Sequence, residues 1–343
     1  MSHLLKVRML LEEAKEKKFF EEAILYVGDR EGEVFTHCIG ADEKTLFDMA
    51  SLTKIMSTTM VALKMIEEGK LCLFDRLDYF FEVPKDKEEI TIQQLMTHTA
   101  GFEPFFDIEK EAKTPHKALE TIFNRPLYSS IGKEVYYSCV GYIVLGKILE
   151  KVGGAPLDYL AKEYVFSPLG LKNTTYKPQG ENIAPTEYDD IYGGHLKGVT
   201  HDENARFLGV SGNAGLFSNI EDVVTFTKML ARKGLYKDEV YLSEAMFSRA
   251  IYPYTKGMKE LRGLGFSLYD YNLHPSGDLF SQGSFGHTGF TGTSVFVDKE
   301  KGVFVIFLTN RVFHGREDTG FLRFRRQLHN VIVSTWSKKE YNL

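Results

Sequence analysis

The chain has 343 residues, of which 43% are hydrophobic and 26% charged, so it can bury a large core and has the composition of an ordinary globular protein. A net charge of −5 gives no reason to expect a nucleic-acid partner or attraction to an anionic membrane. The three cysteines, at positions 38, 72 and 139, are widely spaced and follow no metal-ligand pattern, which favours reduced thiols in a cytoplasmic protein.

The first 27 residues are predicted to begin with an amphipathic helix. Their apolar residues recur at helical spacing and are interrupted by Lys6, Arg8, Glu12 and Glu13. A secretory signal would need an unbroken apolar stretch, and no apolar run in the chain approaches the ~20 residues that cross a bilayer. We therefore expect a cytoplasmic protein without a membrane partner.

Both ends of the chain carry strand patterns. Strands are expected at residues 23–27, 34–38, 293–297 and 303–308, and a turn joins the members of each pair. The last strand is almost continuously apolar, which suits an interior position in a sheet. A closing helix is expected at 321–338. The two ends together predict an α+β lobe, an antiparallel sheet flanked by the N- and C-terminal helices.

The middle of the chain is mainly helical. Helices are predicted at 91–98, 139–153 and 221–234, and prolines interrupt the sequence between them. We therefore expect residues 75–235 to form an inserted helical lobe. Residues 1–74 and 236–343 would form the α/β lobe, and the cleft between the two lobes is the expected place for a site.

Ser51 and Lys54 stand at the head of a strongly apolar helical stretch, residues 51–70. Residues three apart share one face of a helix, so the amine would lie beside the hydroxyl. The partial positive charge of the helix N-terminus would also favour an alkoxide-like oxygen there. The same spacing recurs at Ser130 and Lys133, but in a polar stretch interrupted by a glycine. We interpret this second copy as a coincidence.

Two later segments bear on the reactivity of such a serine. Residues 136–142 (YYSCVGY) open a predicted helix, and residues 286–292 (GHTGFTG) are rich in glycine. Glycines of this kind would let a substrate approach the backbone of an edge strand. Each segment alone has a structural explanation, since a buried tyrosine commonly packs and a histidine among glycines is commonly a loop residue.

Taken together and in this order, the segments resemble the family of serine hydrolases related to penicillin-binding proteins and class C β-lactamases. The resemblance extends over nearly the whole chain. Framework segments that share it are residues 46–54, 95–101, 142–146, 168–171, 201–205 and 308–310. It implies a β-lactamase/DD-peptidase-like fold.

The resemblance also implies roles for individual residues. Ser51 matches the nucleophile and Lys54 the amine that shares its proton network. Tyr137 matches the tyrosine that acts first as general base and then as acid toward the leaving group. A cation at Lys54 is expected to favour tyrosinate by its charge, and tyrosinate could deprotonate Ser51.

The glycine-rich segment is implied to complete the site. His287, Thr288 and Gly289 stand where the family has Lys-Thr-Gly or His-Thr-Gly. The oxyanion hole would consist of the backbone N–H groups of Ser51 and Phe290.

Two residues depart from the commonest family pattern. Cys139 occupies a position that is usually asparagine, and a thiol is a poor hydrogen-bonding partner for the Lys54 ammonium. His287 replaces a lysine, and histidine is mostly neutral at pH 7. We therefore expect weaker support for Lys54, and a preference for esters over penicillins.

Other kinds of site are less well supported. His195, His201, Asp202, Glu203 and His287 could be considered as metal ligands, but they lack the His-Glu-x-x-His spacing of a helical zinc site. A loop bordering the cleft, with local capping and hydrogen bonding, is the preferred interpretation. The glycine-rich segment lacks the Lys-Ser/Thr ending of a nucleotide-phosphate loop, and His98 is expected to be structural.

The sequence thus predicts a serine hydrolase that forms an acyl-enzyme on Ser51 and needs no cofactor or metal. Its expected partner is a small ester or amide, such as a D-amino-acid or cell-wall peptide. Two alternatives remain open at this point: a β-lactamase, and a penicillin-binding sensor that is acylated without turnover.

Overall fold

The computed structural model describes residues 3–29, 32–271, 274–317, 320–334 and 336. The strands, numbered β1 to β12 in chain order, are Ala23–Asp29, Glu33–Ile39, Phe47–Asp48, Tyr188–Asp189, Gly194–His195, Phe217–Ser218, Leu235–Tyr236, Glu239–Val240, Ser267–Leu268, Phe285–Thr288, Ser294–Asp298 and Val303–Thr309. The α-helices, numbered α1 to α12, are His3–Glu16, Met60–Glu67, Ile92–Met96, Ile108–Ala112, Ala118–Asn124, Cys139–Gly153, Leu157–Ala161, Ser167–Leu169, Glu203–Leu208, Ile220–Ala231, Glu244–Ala250 and Gly320–Ser334. Segments Lys54–Thr59 and Lys162–Phe166 are π-helical, and Leu77–Tyr79, Pro115–Lys117 and Arg311–His314 are 3₁₀ turns.

The main sheet is antiparallel and joins strands from both ends of the chain. Its strand order is β2-β1-β12-β11-β10-β9. β12 lies between β1 and β11, with Thr309 opposite Ala23 and Phe307 opposite Ser294. All of its residues are buried, which confirms the interior position predicted from its apolar run. The predicted α+β class is confirmed as well.

Successive side chains along a strand point to opposite faces of the sheet, and here both faces carry apolar side chains. One face packs against the terminal helices α1 and α12, which also contact each other. The other face joins a larger core that contains the helix following Ser51 and helix α10. Side chains on the first face include Leu25, Val305 and Phe307. Side chains on the second include Ile24, Phe304 and Ile306.

Helix α10 ties the middle of the chain to the sheet. It belongs by sequence to the predicted inserted lobe, yet it packs against β1, β11 and β12. The division into residues 75–235 and two flanking segments therefore stays a prediction. The helix ends at Ala231, earlier than predicted, because Lys233 and Gly234 have positive φ values of 56° and 95°.

Several predicted boundaries can be compared directly. α6 begins at Cys139 and ends at Gly153, as predicted. The predicted turn after β1 includes residues 30 and 31, and the predicted C-terminal helix includes residues 335, 337 and 338, all outside the described residues. Among the helices that the structure describes, none combines the length and apolar character needed to cross a bilayer.

Candidate active site

Ser51 lies at a tight junction between strand β3 and the helix that starts at Leu52. The residue before it, Ala50, has a φ of 45°, a left-handed conformation that non-glycine residues seldom adopt. The Ala50 N–H donates to Asp48 Oδ1 at 2.8 Å, which holds this turn in place. The helix continues through the π-helical segment, a feature often found at functional sites.

Lys54 is fully buried and reaches Ser51 as predicted. Its Nζ donates to Ser51 Oγ at 3.0 Å and to the Asn213 carbonyl oxygen at 2.8 Å. Cys139 Sγ lies 3.5 Å away. The carbonyl is a far better acceptor than the thiol, so it is the stronger of these two hydrogen-bonding partners of Lys54. The sequence did not point to Asn213, because the contact comes from a backbone atom 159 positions away.

Tyr137 lies between several charged and aromatic groups. Lys54 Nζ is 5.0 Å from the centre of its ring and the Arg262 guanidinium 5.4 Å. The rings of His98 and His287 have their centres 4.5 and 5.7 Å from it. Its hydroxyl is buried and makes no direct hydrogen bond to a described residue.

The protonation of the Lys54–Tyr137 pair differs from the prediction. Burial raises the pKa of Tyr137, and the charge of Lys54 lowers it by less, so its net pKa lies above the ordinary value. Burial alone would lower the pKa of Lys54, but interactions with Cys139 and Tyr137 raise it overall. The resting site therefore holds an ammonium and a neutral phenol. The cation at Lys54 favours tyrosinate as expected, but burial outweighs its effect, so Tyr137 keeps its proton in the resting site.

His287 is buried and neutral, as predicted. Burial and the charges of Arg262 and Lys54 hold its pKa well below the ordinary value. Its Nδ1 is 2.8 Å from the Thr288 carbonyl oxygen, and since a carbonyl only accepts, we assign the proton to Nδ1. Nε2 is then an acceptor, and it has no hydrogen-bond partner among the described residues.

The glycine-rich loop is tied to the segment before Ser51. Thr291 Oγ1 donates to the Asp48 carbonyl oxygen at 2.7 Å, and Thr293 Oγ1 donates to that of Met49 at 3.1 Å. The loop approaches so closely that a Cβ on Gly289 would lie 2.7 Å from the Met49 oxygen. Only glycine fits this position.

Two backbone N–H groups remain available where the loop meets the serine. Within the described structure, neither the Ser51 nor the Phe290 N–H donates to another group. β10 pairs with β9 only at Phe285 and Gly286, so the strand edge is open from His287 onward. The two N–H groups are thus unengaged beside an open strand edge, and the oxyanion hole stays a prediction.

A cleft of about 410 Å³ opens onto this site. The predicted residues that line it are Ser51, Tyr137, His287, Thr288, Gly289 and Phe290. Lys54 reaches Ser51 and Cys139 from the buried side. A larger cavity, of about 560 Å³, contains none of the predicted site residues. The size of a cavity alone therefore does not locate the candidate active site.

Three arginines that the sequence analysis missed, Arg262, Arg311 and Arg325, also line the cleft. One signal was present in the sequence. Arg325 interrupts the apolar stripe of the predicted C-terminal helix, between Phe324 and Leu328, where a charged residue is unusual.

The residues considered as metal ligands have local roles. His201 Nε2 contacts Glu187 Oε2 at 2.9 Å, and Asp202 caps α9 by accepting from the Ala205 N–H at 2.8 Å. His195 stacks on Phe313 with ring centres 3.9 Å apart. Across the described ranges, no group of three or more His, Cys, Asp or Glu residues could hold a metal ion.

His98 is structural, as predicted, but it supports the site directly. Its Nδ1 accepts from the Ser138 N–H at 3.1 Å, next to Tyr137. Its ring contacts both Tyr137 and Tyr142. Burial and the charges of Arg262 and Lys54 hold the pKa of His98 well below the ordinary value, so the ring is neutral.

Comparison with known proteins agrees with this geometry. The Beta-lactamase family model matches residues 8–328. The chain belongs to the Beta-lactamase family. A relative named putative D-alanyl-D-alanine carboxypeptidase, from Escherichia coli (strain K12), is 33% identical over 80% of this chain and 70% of its own length. A relative named N-acetylmuramyl-L-alanine amidase, from Bacillus subtilis (strain 168), is 27% identical over 78% of this chain and 68% of its own.

Solved structures share the fold of this Beta-lactamase family member. EstCE1, described as a hydrolase with promiscuous acyltransferase activity, has a TM-score of 0.78 at 22% identity, with 96% of this chain and 98% of that chain covered. An octameric penicillin-binding protein homologue from Pyrococcus abyssi has a TM-score of 0.76 at 19% identity, with 98% and 78% covered. The family and these relatives identify the protein as a serine hydrolase that acts through an acyl-enzyme.

The weak role of Cys139 can be tested by removing its thiol. Cys139→Ala is expected to lower kcat/KM for an ester by no more than about threefold, because a thiol–ammonium hydrogen bond is weak and the Asn213 carbonyl remains. Lys54→Met, which removes the ammonium, is the matched comparison and should cost at least about 100-fold. Equal losses in the two variants would contradict this account.

The protonation of the Lys54–Tyr137 pair predicts the pH profile. Both groups keep their protons at neutral pH, so kcat/KM should rise by roughly tenfold per unit of pH between about 6 and 9 as the pair loses one proton. The low pKa of His287 means that no step near pH 6.5 should come from it. The measurement is kcat/KM against pH for wild type and His287→Asn. A flat profile, or an inflection near 6.5 that His287→Asn removes, would be inconsistent with the assignment.

Proposed function

We propose that Ser51 is the nucleophile of an ester or amide hydrolase, and that Tyr137 exchanges protons with it and with the leaving group. The observation that carries the proposal is the 3.0 Å contact between Lys54 Nζ and Ser51 Oγ in a cleft that also contains Tyr137. The unengaged N–H groups of Ser51 and Phe290 support it further.

The reaction would begin when the Lys54–Tyr137 pair loses one proton. Tyr137 would take the Ser51 proton as Oγ attacks the substrate carbonyl, while the Lys54 ammonium stabilises the developing charge on both oxygens. The N–H groups of Ser51 and Phe290 would hold the tetrahedral oxyanion. Tyr137 would then protonate the leaving group, and afterwards deprotonate the water that hydrolyses the acyl-enzyme.

The proposed substrates are small esters or amides, including D-amino-acid and cell-wall peptides. The relatives named as a D-alanyl-D-alanine carboxypeptidase and an N-acetylmuramyl-L-alanine amidase support the amide part of this range. The neutral state of His287 supports the ester part, because this position supplies no cation for a substrate carboxylate. A cytoplasmic location remains part of the same proposal.

Burst kinetics with a chromogenic ester test the proposal against both alternatives. Wild type is expected to release one equivalent of product rapidly and then continue at a steady rate. A single burst without turnover would instead indicate a sensor, and faster turnover of a β-lactam than of the ester would indicate a β-lactamase. Ser51→Ala should abolish both phases, whereas Tyr137→Phe should slow them by about 100-fold or more.

Ser130 provides the matched control for this experiment. It belongs to the second Ser-x-x-Lys copy, is exposed and lies outside any helix. Ser130→Ala should leave both phases unchanged. Loss of the burst in Ser130→Ala with its retention in Ser51→Ala would reverse the assignment.

A further inference from the structure

Residues 201–204 connect two parts of the chain that carry reacting groups. At one end of this segment His201 is buried, and its backbone N–H donates to Asp48 Oδ2 at 2.8 Å. The other oxygen of that carboxylate, Oδ1, accepts from the Ala50 N–H at 2.8 Å. Asp48 is itself only 2% exposed. One buried carboxylate therefore ties the start of the segment to the strained turn that presents Ser51.

Asn204 holds the other end of the segment. It is 1% exposed, and its Oδ1 accepts from the Ile108 N–H at 3.0 Å. Its Nδ2 donates to the Phe106 carbonyl oxygen at 2.8 Å. An N–H group can only donate and a carbonyl can only accept, so the amide fits here in one orientation. Both of its polar atoms are thus used to hold the backbone of residues 106–108.

The loop of residues 103–108 in turn holds the turn that carries Tyr137. Ser138 Oγ and the Cys139 N–H donate to the first two carbonyl oxygens of this loop, at 2.7 and 2.9 Å. The loop therefore lies between Asn204 and the two residues that follow Tyr137. Through it, the end of the 201–204 segment is connected to the proposed base.

His201 also contacts the glycine-rich loop. Its ring stacks on the ring of Phe290, with centres 5.6 Å apart and an angle of 21° between the planes. Its Nε2 lies 2.9 Å from Glu187 Oε2, a contact that fixes the orientation of the ring. Because Phe290 supplies one of the two N–H groups of the proposed oxyanion hole, the segment touches a third part of the site.

We propose that residues 201–204 position the nucleophile relative to its base, with Asp48 and Asn204 as the positioning residues. This inference rests on the proposed function, since it concerns the geometry between Ser51 and Tyr137. Within the described structure neither Asp48 nor Asn204 lines the cleft, so each acts through the backbone that it holds. A displacement of about 1 Å between reacting groups can cost about 100-fold in rate. A short segment bonded at both ends limits such displacement.

Burst kinetics of Asp48→Asn and Asn204→Ala with a chromogenic ester test the proposal. Asp48→Asn keeps one acceptor but turns an N–H group toward the other donor, and Asn204→Ala removes both bonds of the amide. Each variant should lower the rate constant of the burst at saturating ester by about tenfold or more. The ester concentration that half-saturates the burst should stay within about twofold, because the lining of the cleft is unchanged. An unchanged burst in either folded variant would overturn the proposal.

The double variant gives a readout that a merely structural role would not move. A single connection is lost when either end is released. Asp48→Asn combined with Asn204→Ala should therefore be no more than about threefold slower than the slower single variant. Two independent contributions would instead multiply, to a loss of about 100-fold or more. A multiplied loss would contradict the proposal.

Asn330→Ala is the matched control. Asn330 Oδ1 accepts from the Asp278 N–H at 2.7 Å, and its Nδ2 donates to Asp278 Oδ2 at 2.7 Å. This amide therefore also holds another segment with both of its polar atoms, but that segment carries neither Ser51 nor Tyr137. Asn330→Ala should change the rate constant of the burst by less than about twofold. A loss as large as that of Asn204→Ala would point to general loosening and argue against a positioning role.

Hydrogen exchange in the wild type gives an answer even if these variants do not fold. The Ala50, His201 and Ile108 N–H groups all donate to the two side chains that hold the segment. A segment held at both ends opens as one unit, so their protection factors should agree within about tenfold. Free exchange at Ile108 with full protection at Ala50 would overturn the positioning role while the hydrolase proposal stands. Retention of both burst phases in Ser51→Ala would instead overturn the hydrolase proposal itself.

Discussion

The site depends on one buried ammonium group. Lys54 is enclosed by the core, and its Nζ is held between Ser51 Oγ and the Asn213 carbonyl oxygen. A buried lysine is stable only where acceptors replace the water that it has lost. The strained turn at Ala50, the helix after Ser51 and the segment that carries Asn213 must therefore come together for the lysine to be accommodated. The same contacts position the serine oxygen, so folding and the arrangement of the nucleophile are coupled.

The sequence predicted the parts of this arrangement that follow from local patterns. An apolar run predicted the interior strand β12, and helical spacing placed Lys54 beside Ser51. Tyr137 and the glycine-rich loop entered instead through the family resemblance that the order of the short motifs carries. The strand and the Ser51–Lys54 contact could be predicted because strand and helix periodicities act over a few residues.

The features that the sequence did not predict depend on packing between distant segments. The Asn213 carbonyl carries no side-chain signature, and its contact with Lys54 exists only in the folded chain. The direction in which the pKa of Tyr137 shifts depends on whether burial or a nearby cation has the larger effect. Composition cannot reveal which of the two is larger. Arg325 was visible as a charge on an apolar helical face, but only the structure places it in the cleft.

The cleft therefore combines a neutral histidine with a cationic wall. Among the charged residues described around it, Glu260 pairs with Arg262, while the Nε of Arg325 has no acceptor among the described residues. A protein with a net charge of −5 thus concentrates positive charge at its proposed reaction site. The identity of the nucleophile remains the central claim, because every other role is defined relative to Ser51.

Covalent labelling with a fluorophosphonate, followed by tryptic peptide mapping, tests that claim most directly. One label per chain is expected, on Ser51 within the tryptic peptide of residues 45–54; it should disappear in Ser51→Ala and persist in Ser130→Ala. A label on any other residue, or undiminished ester hydrolysis in Ser51→Ala, would contradict it.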